Sequence, residues 1–425
     1  MKRYKRYMAF LLCTTILTAG CSDVGQERKK LKILTEKCYE SEVTKAANYY
    51  MAKHPETEVR VELLEENVGK RHLQIQKKQT EIQMGSGSDV YILDGMNEAI
   101  LEEDYEEPLF ENVNKAIENG TFTALDSYME KDVYWKNHQY HLPLLEAGKY
   151  ENRQYVLPLS CIYYVYLGEE SREFQGETLS EWMEELESEK NLLWAEKILF
   201  GTMELICVRW QQPSLEYEHQ KVMFEPEIWK NFFKQYYPVY QKVTKDIWEH
   251  YGEEEGVGEL NRIPGVNLEW AKSGESFICQ AVPNLEGRRM ASVQAYGAVG
   301  MGSEYKKEAY EFLMLFLDGG EEQDNKKEFW KNGAARGVPV QESSWQYFFE
   351  ANQVYDEKAQ EEFMKSFREL DGSFFVNTAD RNLYWKANDL IVKNLFAEDE
   401  NLLLNDKIER LVQEAKEQYE MIVME

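Results

Sequence analysis

The chain has 425 residues, of which 77 are acidic and 49 are basic, so its formal net charge is −28. A surface this acidic repels phosphate backbones and anionic lipid headgroups, which excludes nucleic acids as partners. The length exceeds what a single hydrophobic core usually serves, and we expect two domains behind an N-terminal leader.

Residues 1–20 have the layout of an export signal. A basic stretch, Met1–Arg6, precedes an apolar stretch, Met8–Leu17, that is too short to cross a bilayer as a helix. Small residues and then Cys21 follow, and this junction resembles the lipobox of bacterial lipoproteins. The resemblance implies cleavage before Cys21, a lipid anchor on Cys21 and a tether over residues 21–30. The alternative is an ordinary secreted protein that is cut nearby, with Cys21 as a bystander.

The first part of the body alternates between strand and helix patterns. Apolar runs predict strands at Leu31–Leu34, Val59–Leu64 and Asp89–Gly95, and helical spacing predicts helices over Glu42–Lys53 and Lys70–Met84. Strands and helices that alternate at this spacing form a βαβαβ unit with a parallel sheet.

The most apolar stretch, Tyr155–Leu167, predicts a strand, a break at Pro158 and a second strand. Tyr164 and Tyr166 share one face of the second strand, and Tyr163 lies on the other. The pattern predicts core on one face and leaves the other for a ligand. Two buried faces within one domain are the alternative.

Further along, the chain is mainly helical. An apolar helix is predicted over Trp194–Trp210, and an aromatic helix begins at Glu225 and ends before Pro238. Ala291–Val299 predicts a strand, Tyr305–Leu317 an amphipathic helix, and the apolar stripe of Asn405–Val423 a docking helix.

Seven segments, in this order, resemble those of the family 1 extracellular solute-binding proteins of ABC importers. The resemblance covers nearly the whole body of the chain and rests on Leu31–Pro55, Gly85–Gly95, Thr123–Tyr128, Tyr150–Leu167, Thr178–Trp182, Ser303–Leu317 and Gly337–Val340. It implies an α/β, two-lobed, periplasmic-binding-protein-like type II fold with a ligand cleft between the lobes.

The resemblance also implies where the chain crosses between lobes. We expect residues 31–157 in lobe 1, 158–290 in lobe 2, 291–337 returning to lobe 1, and 338–425 as C-terminal helices of lobe 2.

The sequence contains no P-loop, GxSxG or HExxH motif, and we predict no catalytic residue, cofactor or metal. Cys38, Cys161, Cys207 and Cys279 form no CxxC pair, and whether they are free or paired stays open.

Ligands of open α/β sheets sit at the carboxyl ends of strands. That rule and the resemblance indicate where ligand-binding residues should lie. These places are the loop after the first strand, the end of the third strand, both crossover strands and a Trp at the end of an apolar helix. The ligand-binding candidates are Glu36, Tyr39, Asp94, Ser160, Tyr163, Trp210 and Tyr296.

Aromatic residues make up 13% of the chain, and their rings stack on the C–H faces of sugars while acidic side chains accept hydroxyl hydrogen bonds. The resemblance implies a monomeric, lipid-anchored, extracytoplasmic binding protein that delivers a small solute to an ABC permease, and the aromatic and acidic composition favours a carbohydrate or oligosaccharide as that solute. Peptides and polyamines remain open as solutes. The alternatives are a surface enzyme acting on glycans and the binding component of a membrane sensor.

Overall fold

A computed structural model describes residues 28–95, 107–168, 170–190, 195, 198, 214–250, 258–263, 277–318, 337–394 and 401–424. The predicted export signal, Cys21, Cys207, Trp210 and most of the helix predicted around Trp194–Trp210 lie outside these residues.

The described residues contain thirteen strands and twelve α-helices. The strands are β1 (Lys29–Thr35), β2 (Thr57–Leu63), β3 (Val90–Asp94), β4 (Lys149–Tyr150), β5 (Arg153–Gln154), β6 (Val156–Gly168), β7 (Leu215–Glu216), β8 (Lys221–Val222), β9 (Gly258–Ile263), β10 (Ile278–Ala281), β11 (Met290–Val299), β12 (Val338–Pro339) and β13 (Gly372–Phe374). The helices are α1 (Glu40–Lys53), α2 (Val68–Gln83), α3 (Val113–Glu118), α4 (Asp126–Met129), α5 (Val133–Asn137), α6 (Leu179–Glu187), α7 (Pro226–His250), α8 (Lys306–Asp318), α9 (Trp345–Ala351), α10 (Glu357–Arg368), α11 (Thr378–Asn394) and α12 (Asn401–Met424).

The predicted βαβαβ unit is confirmed. Strand β1 pairs in parallel with β2 on one side and with β3 on the other. Helix α1 buries Val43, Ala47 and Tyr50, which recur at helical spacing, while the side chain of Asn67 caps α2 by accepting from the backbone N–H of Lys70. Parallel pairing places the carboxyl ends of β1 and β3 at one edge of the sheet.

One sheet runs through the molecule in the order β10-β6-β11-β3-β1-β2, and β9, β12 and β13 pair beside this path. Strands β6 and β11 are long and antiparallel to each other. The carboxyl half of β6, beyond Ile162, pairs with β9 and β10 instead of β11. Strand β6 therefore belongs to two parts of the sheet.

The prediction that Pro158 breaks this stretch into two strands is wrong. Pro158 lies inside the single thirteen-residue strand β6, opposite Tyr296 of β11. The ladder is irregular there, because Ala295 pairs with Ser160 while the next residue, Tyr296, pairs with Pro158. A proline that lacks its N–H is tolerated where the ladder is already interrupted.

The buried side chains form two large clusters, and β6 contributes to both. Tyr163, Val165 and Leu167 pack in the first cluster, whereas Tyr164 and Tyr166 pack in the second. Both faces of this half of β6 are thus core, whereas the pattern predicts a ligand on one of them. The two-cluster arrangement follows from the alternation of side chains along a strand.

The predicted lobe boundaries stay a prediction, but one segment packs differently from them. Most buried apolar residues of 338–375 belong to the first cluster, Phe374 packs with Met290 and Val376 in a small third one, and only from Ala379 onward does the C-terminal part join the second. The cause is β12, which pairs with β6 at Ser160 and Cys161 and leads α9 and α10 onto the first cluster.

Helix α7 also continues through a predicted end. It spans 25 residues with Pro238 inside it. A proline in a helix interior costs about 3 kcal/mol. Buried aromatic rings on both sides of it, including Tyr236 and Tyr240, offset that cost. Among the described residues, no helix combines the length and the apolar character that crossing a bilayer requires.

Candidate functional site

Three strands bring polar side chains together at the carboxyl edge of β1 and β3. Asp94 is the last residue of β3, and its Oδ2 accepts a hydrogen bond of 3.1 Å from the hydroxyl of Tyr39, in the turn after β1. The same oxygen accepts a hydrogen bond of 2.8 Å from Nε2 of Gln294, on β11. The Asp94 side chain is half-buried, so part of its surface stays exposed although two neutral donors bind its carboxylate.

Gln294 was not among the predicted site residues. Val293 pairs with Cys161 and Ala295 with Ser160, so Gln294 is the extra residue of a β-bulge in β11. A bulge redirects a side chain, and here the amide turns toward the end of β3. The signal available in the sequence was a single carboxamide in an otherwise apolar strand, Ala291–Val299.

Glu36 lies nearby but its carboxylate is engaged within the protein. Nη1 and Nη2 of Arg71, on α2, donate to its two oxygens at 2.9 and 3.1 Å. Nε of Arg71 also donates to the carbonyl of Glu107 at 2.6 Å. The side chains of Arg71 and Glu36 are only 1% and 6% exposed, so this is a buried, bidentate ion pair. It holds the loop after β1 against α2.

Tyr296 completes the group of predicted residues that the structure brings together. Its ring is buried and packs edge-on against Phe375 at a centroid distance of 5.2 Å. Burial, and then the charges of Glu36 and Asp94, raise the pKa of the Tyr296 phenol. Burial and the charge of Asp94 likewise raise the pKa of Tyr39. Both phenols therefore stay protonated and can donate.

Ser160 and Tyr163 lie on opposite faces of β6 and do not share one environment. Ser160 is fully buried between Ala295 and Pro339, and its Oγ has no hydrogen-bond partner among the described residues. The hydroxyl of Tyr163 is 3.0 Å from Oγ of Ser366, on α10, inside the first cluster. The structure therefore gives Tyr163 a partner in the core, and Trp210 lies outside the described residues.

The chemistry available at this edge is hydrogen bonding. Asp94 accepts hydrogen bonds from the Tyr39 phenol and from the Gln294 amide, so the single O–H of Tyr39 is used within the protein. Within the described ranges, no three His, Cys, Asp or Glu side chains converge in a way that could hold a metal ion. We name the set of Tyr39, Asp94, Gln294 and Tyr296 the strand-end cluster. It suits a polar solute whose hydroxyl groups both donate and accept.

Comparison with models of known protein families found no match, and neither did comparison with curated proteins. Solved structures do match. A family 1 extracellular solute-binding protein from Alicyclobacillus acidocaldarius subsp. acidocaldarius DSM 446 has a TM-score of 0.60 and 13% identity, over 93% of this chain and 100% of that one. A periplasmic oligogalacturonide-binding protein from Yersinia enterocolitica has a TM-score of 0.59 and 14% identity, over 93% and 100%.

A de novo designed esterase, improved by directed evolution and rational design, matches equally well, with a TM-score of 0.60 and 13% identity over 93% and 100%. At such identities the likeness shows the fold, and the fold alone does not name an activity. The chain has the α/β fold of the family 1 extracellular solute-binding proteins.

Proposed function

We propose that this protein is an extracytoplasmic solute-binding protein that captures a carbohydrate and delivers it to an ABC permease. The observation that carries the proposal is the strand-end cluster. It lies at the carboxyl ends of β1 and β3, beside β11, which pairs with β6, the strand that contributes side chains to both hydrophobic clusters. Ligands of open α/β sheets bind at such edges.

The hydrogen-bonding groups favour a hydroxylated solute over an anionic one. Asp94 adds negative charge to the cluster, which disfavours anions and leaves an acceptor for hydroxyl groups. Tyr39 and Gln294 fix the position of that acceptor. The Yersinia enterocolitica protein of the same fold is an oligogalacturonide-binding protein, which supports carbohydrate as the solute class. Oligogalacturonides are anionic, whereas the charge of Asp94 favours an uncharged sugar for this chain.

We also propose that the two lobes close on the solute and that a lipid anchors the protein to the membrane. The crossover strands β6 and β11 would serve as the hinge, with residues 31–157 and 291–337 forming lobe 1, and a solute that contacts both lobes would favour a closed form. Cys21 would carry the lipid that anchors the protein outside the cytoplasm. The ligand roles of Glu36, Ser160, Tyr163 and Trp210 stay predictions from the sequence and are not part of the strand-end cluster proposed here.

A thermal-shift screen of the purified protein tests the solute class. The panel is maltotetraose, oligogalacturonides and monosaccharides, with amino acids and spermidine as controls. A ligand at a hundred times its dissociation constant stabilises the folded state by about 2.7 kcal/mol, which raises the melting temperature measurably. We expect a shift from one class of sugar, lost in Asp94→Ala and kept in Asp406→Ala, a matched change at an exposed position of α12.

Three outcomes would contradict parts of the proposal. A shift from spermidine or an amino acid alone would overturn the carbohydrate assignment and leave solute binding standing. Hydrolysis of a methylumbelliferyl glycoside, lost in Asp94→Ala, would replace binding by catalysis. A sugar that binds without any change in small-angle scattering would contradict closure about the crossover strands.

A further inference from the structure

A cavity of about 780 Å³ lies at the amino end of β3, away from the strand-end cluster. The loop Gly85–Ser88, which precedes β3, and the turn Gly300–Gly302, which follows β11, both line it. Tyr91, the second residue of β3, also lines the cavity, and Asp94 lies three residues further along the strand, roughly 10 Å away at about 3.3 Å per residue, while no residue of the strand-end cluster lines the cavity. The cavity is therefore distinct from the strand-end cluster.

The wall made by these two loops is preformed. A Cβ on Gly302 would lie 2.4 Å from the carbonyl oxygen of Gly85, and one on Gly300 would lie 2.3 Å from that of Ser88. Only glycine permits this close contact. Asp89 ties the loops together, because it accepts from the hydroxyl of Ser303 at 2.6 Å and from the backbone N–H of Gly300 at 2.9 Å.

The facing wall comes from the C-terminal helices. Thr378, at the start of α11, and Ile422, in the last turn of α12, both line the cavity. Nζ of Lys115, on α3, reaches the carbonyl of Val423 at 3.5 Å and so joins the two walls. The cavity thus lies between residues of the first cluster and helices whose buried faces belong to the second.

The polar part of the lining is mostly uncharged. Side-chain amides come from Gln79, Gln83, Asn112 and Asn119. The charged residues of the lining are Lys115 and Glu111; the Lys115 ammonium is 3.1 Å from Glu118, which neutralises it locally, and the exposed carboxylate of Glu111 disfavours an anionic ligand. Amides donate and accept at once, as hydroxyl groups do, so they suit a neutral hydroxylated group.

The remaining lining is apolar, with Phe110, Met301 and Ile422 among it. Oγ1 of Thr378 is buried and has no hydrogen-bond partner in the described part of the chain. Because this atom is buried, it lies behind the lining and does not itself contact an occupant of the cavity. The volume falls within the range of roughly 300–1,000 Å³ that is usual for small-molecule sites.

We propose that this cavity is a second binding site, which takes a neutral amphipathic molecule with a sugar-like head and a short alkyl or aryl group. The amides receive the hydroxyl groups, and the apolar lining receives the hydrocarbon. Because the walls come from both clusters, an occupant stabilises the arrangement of the clusters seen in this structure.

The probe is n-octyl-β-D-glucoside, titrated calorimetrically into the purified protein below its micelle-forming concentration. Glucose and octyl sulfate serve as probes of the head alone and of a charged head. Asn119→Trp places an indole at the mouth of the cavity, at an exposed position with φ of −75°. Asn137→Trp is the matched control, exposed at the end of α5 and outside the lining.

We expect the glucoside to bind the wild type and Asn137→Trp equally, and Asn119→Trp to weaken binding by about tenfold or more. Gln83→Trp, at an exposed lining position at the end of α2, replaces Asn119→Trp should that variant unfold. The proposal is overturned by an absence of saturable binding, by binding that neither indole weakens, or by equal binding of octyl sulfate. Loss of binding in Asp94→Ala alone would assign the probe to the strand-end cluster instead, which separates this proposal from the proposed function.

Discussion

Two buried carboxylates in different parts of the molecule are compensated by different chemistry. Glu36, beside the first cluster, faces the guanidinium of Arg71 in a bidentate ion pair. Asp380, in the first turn of α11, accepts from the hydroxyls of Ser214 and Tyr419 at 3.0 and 2.7 Å, and burial raises its pKa to about 6. Neutral donors leave part of the desolvation cost in place, whereas a cation balances the charge itself.

Asp94 stands between these two cases. It has neutral donors, as Asp380 has, but it is half-buried and lies at a strand end. Water or a solute can therefore supply the rest of its solvation. Glu36 and Asp380 are thus enclosed within the protein, whereas Asp94 keeps part of its surface exposed.

Breaking the Glu36–Arg71 pair should have the largest effect. Arg71→Met leaves the Glu36 carboxylate buried without its cation, and we expect the free energy of unfolding to fall by about 3–5 kcal/mol. Denaturant unfolding followed by circular dichroism measures it. In the Glu36→Gln, Arg71→Met double variant the loss should be smaller than the sum of the two single losses, because no unpaired charge remains. A loss below about 1 kcal/mol for Arg71→Met would mean that the pair does not hold the loop.

The contribution of Asp380 to the free energy of unfolding should depend on pH. The pKa of Asp380 is about 6 in the folded state, above its unfolded value near 3.8. The folded state therefore binds more protons between these values, and the contribution of Asp380 to the free energy of unfolding falls as pH rises from about 4 to about 6, by up to roughly 3 kcal/mol. It is constant above that range.

Asp380→Asn stays neutral and should flatten the pH dependence over that window. The measurement is the difference between wild type and variant in the free energy of unfolding at several pH values. Asp371→Asn, at an exposed position, is the control and should keep the slope of the wild type. Parallel curves for wild type and Asp380→Asn would show that Asp380 does not titrate in this range.

Local sequence patterns predicted the strands of the sheet but not the irregularities in their pairing. The alternation of strand and helix patterns from β1 to β3 was enough to predict the parallel βαβαβ unit. The rule that ligands lie at the carboxyl ends of strands selected Tyr39 and Asp94, whose side chains are hydrogen-bonded in the structure. Pro158 and Pro238 predicted breaks in a strand and a helix because residue propensities take no account of tertiary packing. Pro158 lies where the ladder between β6 and β11 is already irregular, and Pro238 lies in a helix that is packed by aromatic side chains.

Side-chain contacts between residues that are distant in sequence could not be predicted either. Arg71 is a charged residue on a polar helix, and nothing near it in sequence identifies Glu36 as its partner. Gln294 reaches Asp94 only because a β-bulge turns it, and a bulge depends on the register with β6. Helical periodicity and strand alternation carry information about faces, whereas these two contacts depend on tertiary geometry.

Removing one hydrogen-bond donor from Asp94 tests whether the orientation of this carboxylate matters for solute binding. Gln294→Leu deletes a hydrogen bond to a charged acceptor, and we expect a loss of about 1.5–3 kcal/mol in solute binding as Asp94 loses its orientation. Gln280→Leu is the matched control. Its amide bonds the backbone of Phe174 at 3.0 and 2.9 Å, so it should lower stability without changing affinity. Equal affinities of Gln294→Leu and the wild type, measured by calorimetric titration, would remove Gln294 from the strand-end cluster.

The smallest effect distinguishes a core tyrosine from a ligand residue. Tyr163→Phe deletes the hydrogen bond to Ser366, whose Oγ still donates to the carbonyl of Phe363 at 2.9 Å. One neutral hydrogen bond contributes about 1 kcal/mol, so the melting temperature should fall slightly while solute affinity stays at the wild-type value. Tyr39→Phe, which deletes a hydrogen bond to Asp94, should instead lower the affinity. The opposite pattern, in which only Tyr163→Phe weakens binding, would move the site from the end of β3 to the centre of β6.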